Sequence, residues 1–269
     1  MKRDLKKGMW YAAAPGKTVL EKFKAVKEAG FEGIEPPSHL DQDEVMRARD
    51  ETGLSIPSVS CGHDSRAVTD ADPAKRAEGV EGVKQALRDA KRYGASSILV
   101  VPGGVSENVS YADAWSRAQE SLRQAVPLAE ELNVKLAFEN VWNHFLLSPL
   151  EAARFVDEFK SPAVGWHFDV GNAIYLGWPE QWIRILGKRI QKLHIKEYSR
   201  KRMHEAGMHA GFAVEYLEGD NDWPAVMKAL DDIGYHGWAQ AEPAWTPKGV
   251  DGQTRMKQIS EKMDLIFAS

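Results

Sequence analysis

The chain has 269 residues and a mass of 30.0 kDa, with 35 Lys and Arg against 39 Asp and Glu and a formal net charge of −4. That length admits one or two domains and a core that needs no staples, and the mildly acidic balance argues against gripping nucleic acid. The single cysteine excludes an internal disulfide, no Cys/His cluster has zinc-finger spacing, and no apolar stretch approaches the roughly 18–20 residues of a membrane span. The basic start Met1–Lys7 is not followed by an apolar segment. No signal peptide is therefore visible, and a cytoplasmic protein is expected.

Short runs of strand character alternate with longer stretches of helical period. A weak first run, Gly8–Ala12, precedes a helix over Lys17–Ala29 that stops at Gly30. Phe31–Glu35 is followed by a helix over Asp41–Thr52, and Leu54–Ser58 by Pro73–Tyr93, which ends at Gly94. Ser97–Val101 leads to Tyr111–Leu132, and Val134–Glu139 to Pro149–Phe159. Val164–Asp169 leads to Pro179–Leu186, Lys192–Ile195 to Trp223–Ile233, and Trp238–Glu242 to Val250–Phe267. The strands read as near-continuous apolar segments, which suits burial on both faces. Eight strand–helix units at this length predict an α/β fold, a single (β/α)8 TIM barrel over residues 1–269. The alternative is an open doubly wound sheet, but no GxGxxG follows the first strand and no Walker A sequence is present.

Active sites of such barrels sit at the C-terminal ends of the strands. Strand five ends in Glu139, strand six in Asp169 and strand eight in Glu242, while strand seven carries His194. A lone Asp at a strand end is usually a helix cap or a salt-bridge partner. Four such residues on successive strands are different. Buried carboxylates need a partner, and three of them converging would repel one another. Lys196 and Arg200 could neutralise one or two; a divalent ion handles all three. Three oxygens and one imidazole suit Mn²⁺ first, with Mg²⁺, Co²⁺ or Zn²⁺ as alternatives.

The segments Phe138-Glu139-Asn140, Phe168-Asp169-Val170-Gly171-Asn172, Leu193-His194-Ile195-Lys196 and Ala241-Glu242 resemble the xylose-isomerase-like sugar isomerase/epimerase superfamily. Within it they look most like the ketose 3-epimerases and the sugar-phosphate isomerase/epimerases, over nearly the whole chain. The resemblance implies that Glu139, Asp169, His194 and Glu242 bind one metal ion, and that Glu139 and Glu242 are also the acid/base pair. It implies sugar contacts for Glu35 and His63 and places Arg200 where epimerases carry an arginine after the ligand histidine. Asn172 stands where epimerases often have histidine, and Trp142-Asn143-His144 stands where some have a second glutamate.

The activity expected is a metal-dependent isomerase or epimerase of a ketose or ketose phosphate, working through a cis-enediolate. Glu139 removes a proton alpha to the carbonyl from one face, and Glu242 returns one to the other. The same site would serve a dehydratase or lyase on a keto-sugar or keto-inositol. A non-catalytic sugar-binding barrel and an abasic-site endonuclease are weaker readings, the latter for want of histidine ligands and a basic surface. Trp142, with Trp10 and Trp245, is a candidate sugar wall, and Asn172 and Lys196 are further candidate substrate contacts. Cys61 beside His63 reads as a buried thiol rather than a nucleophile. The long segment Lys196–Asp222 reads as a lid whose basic run faces solvent, with a grip on a substrate phosphate as the alternative, and Gly103-Gly104 as a turn or a close backbone approach to ligand. The partner expected is a small sugar, with no nucleic acid or membrane. Homo-oligomerisation stays open, since exposed and buried tryptophans read alike in a sequence.

Overall fold

A computed structural model describes residues 4–175 and 177–269, except for the side chains of residues 63 and 64. Eight strands form one parallel sheet: β1 Leu5–Trp10, β2 Gly33–Glu35, β3 Ser58–Ser60, β4 Ser97–Val100, β5 Lys135–Glu139, β6 Val164–Asp169, β7 Ile190–Ile195 and β8 Gly237–Ala241. Their order is β2-β1-β8-β7-β6-β5-β4-β3. The two ends of that order meet through Ile34 N donating to Ser55 O, Ser55 N to Glu32 O and Ser60 N to Pro36 O. These bridges nearly close the sheet, and the expected (β/α)8 barrel is the result.

The helices are α1 Val19–Glu28, α2 Gln42–Thr52, α3 Pro73–Tyr93, α4 Tyr111–Arg123, α5 Val126–Leu132, α6 Pro149–Asp157, α7 Val170–Ile174, α8 Pro179–Leu186, α9 Arg200–Ala206, α10 Trp223–Ile233 and α11 Gly252–Ala268. Most start where a short polar side chain accepts from an orphan amide: Thr18, Asp41, Asp72, Ser110, Ser148, Asp222 and Asp251 all do so. Several element ends shift, strand one from Gly8–Ala12 to Leu5–Trp10 among them, and two of the shifts have a proline behind them. The single helix over Tyr111–Leu132 is broken into α4 and α5, because Pro127 has no amide to donate and fits only a first helical turn. Strand three begins at Ser58 rather than Leu54, since Pro57 interrupts the ladder. Leu54 and Ile56 are buried all the same.

Side chains alternate across each strand. Phe138 of β5 meets Phe155 and Phe159, Phe168 of β6 stacks on Trp182, and these outward residues form the layer between sheet and helices. Many of the inward positions are polar. They carry Glu35, Ser58, Ser97, Glu139, His167, Asp169, Lys192, His194 and Gln240, all buried. The strands are thus alternating after all, with the polar face turned into the barrel. No described helix is long and apolar enough to cross a membrane.

Phe155 is fully buried and makes edge contacts with Trp115, Phe138, Phe145 and Phe159. Phe155→Ala is expected to cost about 3–5 kcal/mol of folding stability. Urea unfolding will show it as a lower midpoint with an unchanged slope.

Candidate functional site

The four residues placed on successive strands by sequence converge at the C-terminal end of the barrel. One donor atom from each of Glu139, Asp169, His194 and Glu242 lies within 4.8 Å of the others. His194 Nδ1 stands 3.0 Å from Glu139 Oε1 and 3.0 Å from Glu242 Oε2. Lys196 lies two residues further along the chain from His194, on the same side. Its Nζ is 3.0 Å from Asp169 Oδ2 and 2.9 Å from Glu242 Oε2.

Local structure fixes this geometry. Asp169 caps α7, its Oδ1 accepting from Asn172 N at 2.8 Å, so both the cap role and the cluster role hold for one side chain. Asn140 latches β5 to β6. Its Oδ1 accepts from Asp169 N at 2.9 Å and Trp166 Nε1 at 3.2 Å, and its Nδ2 donates to Asp169 O at 2.7 Å. Gly171 lets α7 approach β7, because a Cβ there would stand 2.8 Å from Lys196 O.

The electrostatics are those of charge brought together in a buried space. Burial pushes the Asp169 carboxyl up to about 7 against the pull of Lys196, and burial also raises Glu139. Burial acts on Glu242 in the same direction, but Lys196 and His194 overcome it and hold that carboxyl well below its usual range. His194 loses solvation too, yet Glu35, Glu242 and Glu139 together raise it well above the ordinary imidazole value. Asp169 Oδ2 and Glu242 Oε2 are buried without a well-directed hydrogen bond, although each is near Lys196 Nζ.

This donor set fits a divalent cation. Three carboxylates face one ammonium. A doubly charged ion with a neutral His194 brings the group to neutrality and gives the two poorly directed oxygens a partner. Glu139, Asp169, His194 and Glu242 are the residues that would hold it.

Beside the cluster lies a cavity of about 450 Å³ lined by Glu139, His194, Lys196, Glu242, Trp142 and Asn172, together with Trp10, Ser60, Arg66, Leu99, Val141, Asn143, His209 and Phe212 among others. Trp142 stacks on Phe212 with ring centroids 4.7 Å apart and donates from Nε1 to Asn172 O at 3.1 Å. Trp10 also lines the cavity; Trp245 does not. Two expected sugar contacts are elsewhere. Arg200 spends its guanidinium on the carbonyls of Ile174 and Gly177 and lies over Trp178, outside the lining. Glu35 is wholly buried beneath His194. The His63 side chain lies outside the described residues. Gly103 serves a turn against Thr69, not a ligand approach.

The segment after β7 folds back over the cavity. Glu197 anchors it, accepting from Trp223 Nε1 at 2.9 Å, Leu217 N at 3.0 Å and Asn221 Nδ2 at 2.6 Å. Phe212 thereby reaches the site, while Lys201 and Arg202 remain outside the cavity lining. Sequence reasoning assigns no role to Arg66, Glu197 or Phe212, and Asn140 enters it only as part of the Phe138-Glu139-Asn140 motif. Only Asn140, next to a strand-end carboxylate, carried a local signal.

A family model described as xylose isomerase-like TIM barrel matches residues 23–267. Among curated relatives, an inosose dehydratase of Clostridium perfringens (strain 13 / Type A) is 26% identical over 167 residues, 56% of this chain and 56% of its own length. The chain thus spans little more than half of that relative. An L-ribulose-5-phosphate 3-epimerase (UlaE) of Escherichia coli (strain ATCC 8739) is 25% identical over 259 residues, 88% of this chain and 86% of its own. The solved structure of a 3-keto-D-glucoside 4-epimerase, YcjR, from E. coli superposes with a TM-score of 0.82 at 19% identity, covering 98% of this chain and 100% of that one. An L-ribulose 3-epimerase structure gives 0.81 at 18% identity, covering 98% and 95%. At such identities the structural likeness establishes the fold.

Adding Mn²⁺ is expected to stabilise the protein by RT ln(1 + [L]/Kd), about 2.7 kcal/mol at a hundredfold excess over Kd. Asp169→Asn, which can still cap α7, will lose most of that gain. Thermal unfolding with and without the ion measures both.

Proposed function

This chain belongs to the xylose isomerase-like TIM barrel family, and from that premise we propose that it is a divalent-metal-dependent isomerase or epimerase of a ketose or ketose phosphate. One observation carries the reading. Glu139 and Glu242 each reach His194 Nδ1 at 3.0 Å, and they come from the ends of β5 and β8, on either side of β6 and β7. Two carboxylates that flank one small volume can remove a proton from one face of a carbon and return it to the other.

A bound divalent ion would polarise the substrate carbonyl as a Lewis acid and make the neighbouring C–H acidic. Glu139 takes that proton, and the substrate becomes an enediolate. Glu242, once it has taken up a proton from solvent, delivers it to the opposite face, inverting the centre, and Glu139 releases its own proton to solvent before the next turnover; the starting epimer decides which Glu acts first. Lys196 stays charged between Asp169 and Glu242 and offsets developing negative charge. Trp142 and Phe212 present apolar faces to the C–H surface of a sugar and exclude water, while Asn172 and Asn143 add polar atoms to the cavity wall. Arg66 brings a guanidinium to the cavity, where a phosphate of the substrate would be held. The match to an L-ribulose-5-phosphate 3-epimerase over most of both chains supports this substrate class.

A second reading, dehydration of a keto-sugar or keto-inositol, is favoured by the position of Lys196. Elimination needs a proton donor for the departing hydroxyl, and the Lys196 ammonium lines the cavity beside Glu242. The inosose dehydratase relatives give that alternative its substrate class.

Proton NMR in D₂O of the Mn²⁺-loaded protein with ketoses, ketose phosphates and keto-inositols separates the readings. Epimerisation places deuterium at C3 of a ketose, and isomerisation places it at C1 or C2. Glu139→Gln and Glu242→Gln are each expected to lower turnover by about 10²–10⁴-fold. Loss of water from a keto-inositol without ketose exchange would move the assignment to the dehydratase.

A further inference from the structure

Directly beneath the cavity, Glu35 is wholly buried at the end of β2 and is not among the residues that line it. Its two oxygens face different partners. Oε1 stands 3.0 Å from His194 Nε2. Oε2 accepts from Ser58 Oγ and, at 3.1 Å, from Gln240 Nε2. Gln240 Nε2 also donates to Ser58 Oγ at 2.6 Å, so the Ser58 hydroxyl hydrogen is directed to Glu35. The carboxylate is therefore locked by two donors on one side and has only acceptor character to offer His194 on the other.

We infer that Glu35 is a positioning residue that holds His194 in one tautomer, with the proton on Nε2 and the Nδ1 lone pair turned toward Glu139 and Glu242. This rests on the metal-dependent reading above. A neutral imidazole has one donor and one acceptor nitrogen, and the partner of the donor decides which is which. In this chain the choice is made from below the site, by a residue that reaches neither substrate nor ion. The carboxylate in contact with a ligand histidine also makes that ligand more basic.

The network gives an unusual prediction for an isosteric change. In Glu35→Gln, Ser58 and Gln240 still present two donors where Oε2 stood. The new amide oxygen settles there, and its NH₂ faces His194 Nε2. That nitrogen must then accept, and the proton moves to Nδ1, pointing into the cation site. The exchange variant Glu35→Gln/Gln240→Glu reverses the logic. The carboxylate introduced at position 240 accepts from the amide NH₂ at position 35. The amide oxygen at position 35 then turns to His194, and Nε2–H is restored.

Calorimetric titration of Mn²⁺ into the three proteins, with ¹⁵N-histidine NMR of their Zn²⁺-loaded forms, tests this. The expected result is Mn²⁺ affinity weaker by about 10- to 100-fold in Glu35→Gln, recovery to within a few-fold in the exchange variant, and a His194 Nε2–H signal in wild type that is missing from the single variant. Unchanged affinity in Glu35→Gln overturns the inference, and so does equal weakness in both variants, which would make the role one of charge or packing. Should Glu35→Gln fail to fold, the wild-type spectrum decides: protonation at Nδ1 in the Zn²⁺-loaded protein overturns it. A wild-type protein that binds neither ion contradicts the metal reading itself, an outcome separate from these.

Discussion

Three carboxylates that enter the same end of a barrel repel one another, and the way this chain balances them orders everything around the site. Glu139, Asp169 and Glu242 share a volume in which their donor atoms lie within 4.8 Å of one another and of the His194 ring. They are buried there, and burial pushes the Asp169 and Glu139 carboxyls upward. Lys196 answers part of the charge from the same strand end that brings His194. The remainder calls for a cation of charge two. Without it, Glu139 and Glu242 together with Glu35 act on His194 and raise its imidazole well above the ordinary value.

The same constraint extends down the barrel. Below the cluster, Glu35, Ser58, Gln240 and His167 form a second polar level, and Lys192 lies lower still, donating to Ser96 Oγ at 2.8 Å. Burial lowers the Lys192 ammonium to about 8 even though Glu35 pulls the other way. Glu35 is treated oppositely. Burial would raise it, but His194 and His167 hold it at about 2. The levels are linked through Glu35, which accepts from Ser58 and Gln240 and meets His194 Nε2 at 3.0 Å. The outward face is the reverse, with Phe138 and Phe168 packed on Phe155 and Trp182 of the surrounding helices. Packing outside and electrostatics inside are therefore two consequences of one alternation.

That alternation explains what could be read from the sequence. Barrel class and the quartet Glu139, Asp169, His194 and Glu242 were legible because strands end in register and a polar residue after an apolar run stands out. Trp142 and Lys196 followed for the same reason. Depth within the barrel was not legible. Glu35 ends its strand just as Glu139 does, yet β2 sits so that its last residue lies beneath His194 rather than beside it. Arg200 had the right spacing from His194, but α9 turns its guanidinium onto the carbonyls of Ile174 and Gly177. Phe212 reaches the cavity only because Glu197 gathers donors from Leu217, Asn221 and Trp223, contacts between residues well separated in sequence. Local breaks caused by Pro57 and Pro127 shifted element ends without moving the site.

Whether these four side chains enclose one divalent ion can be seen by anomalous diffraction at the manganese edge, from crystals grown with Mn²⁺. A single strong peak is expected, bounded by Glu139, Asp169, His194 and Glu242, with His194 contributing Nδ1. A peak at another place in the barrel, or none with Lys196 still bridging Asp169 and Glu242, would contradict it.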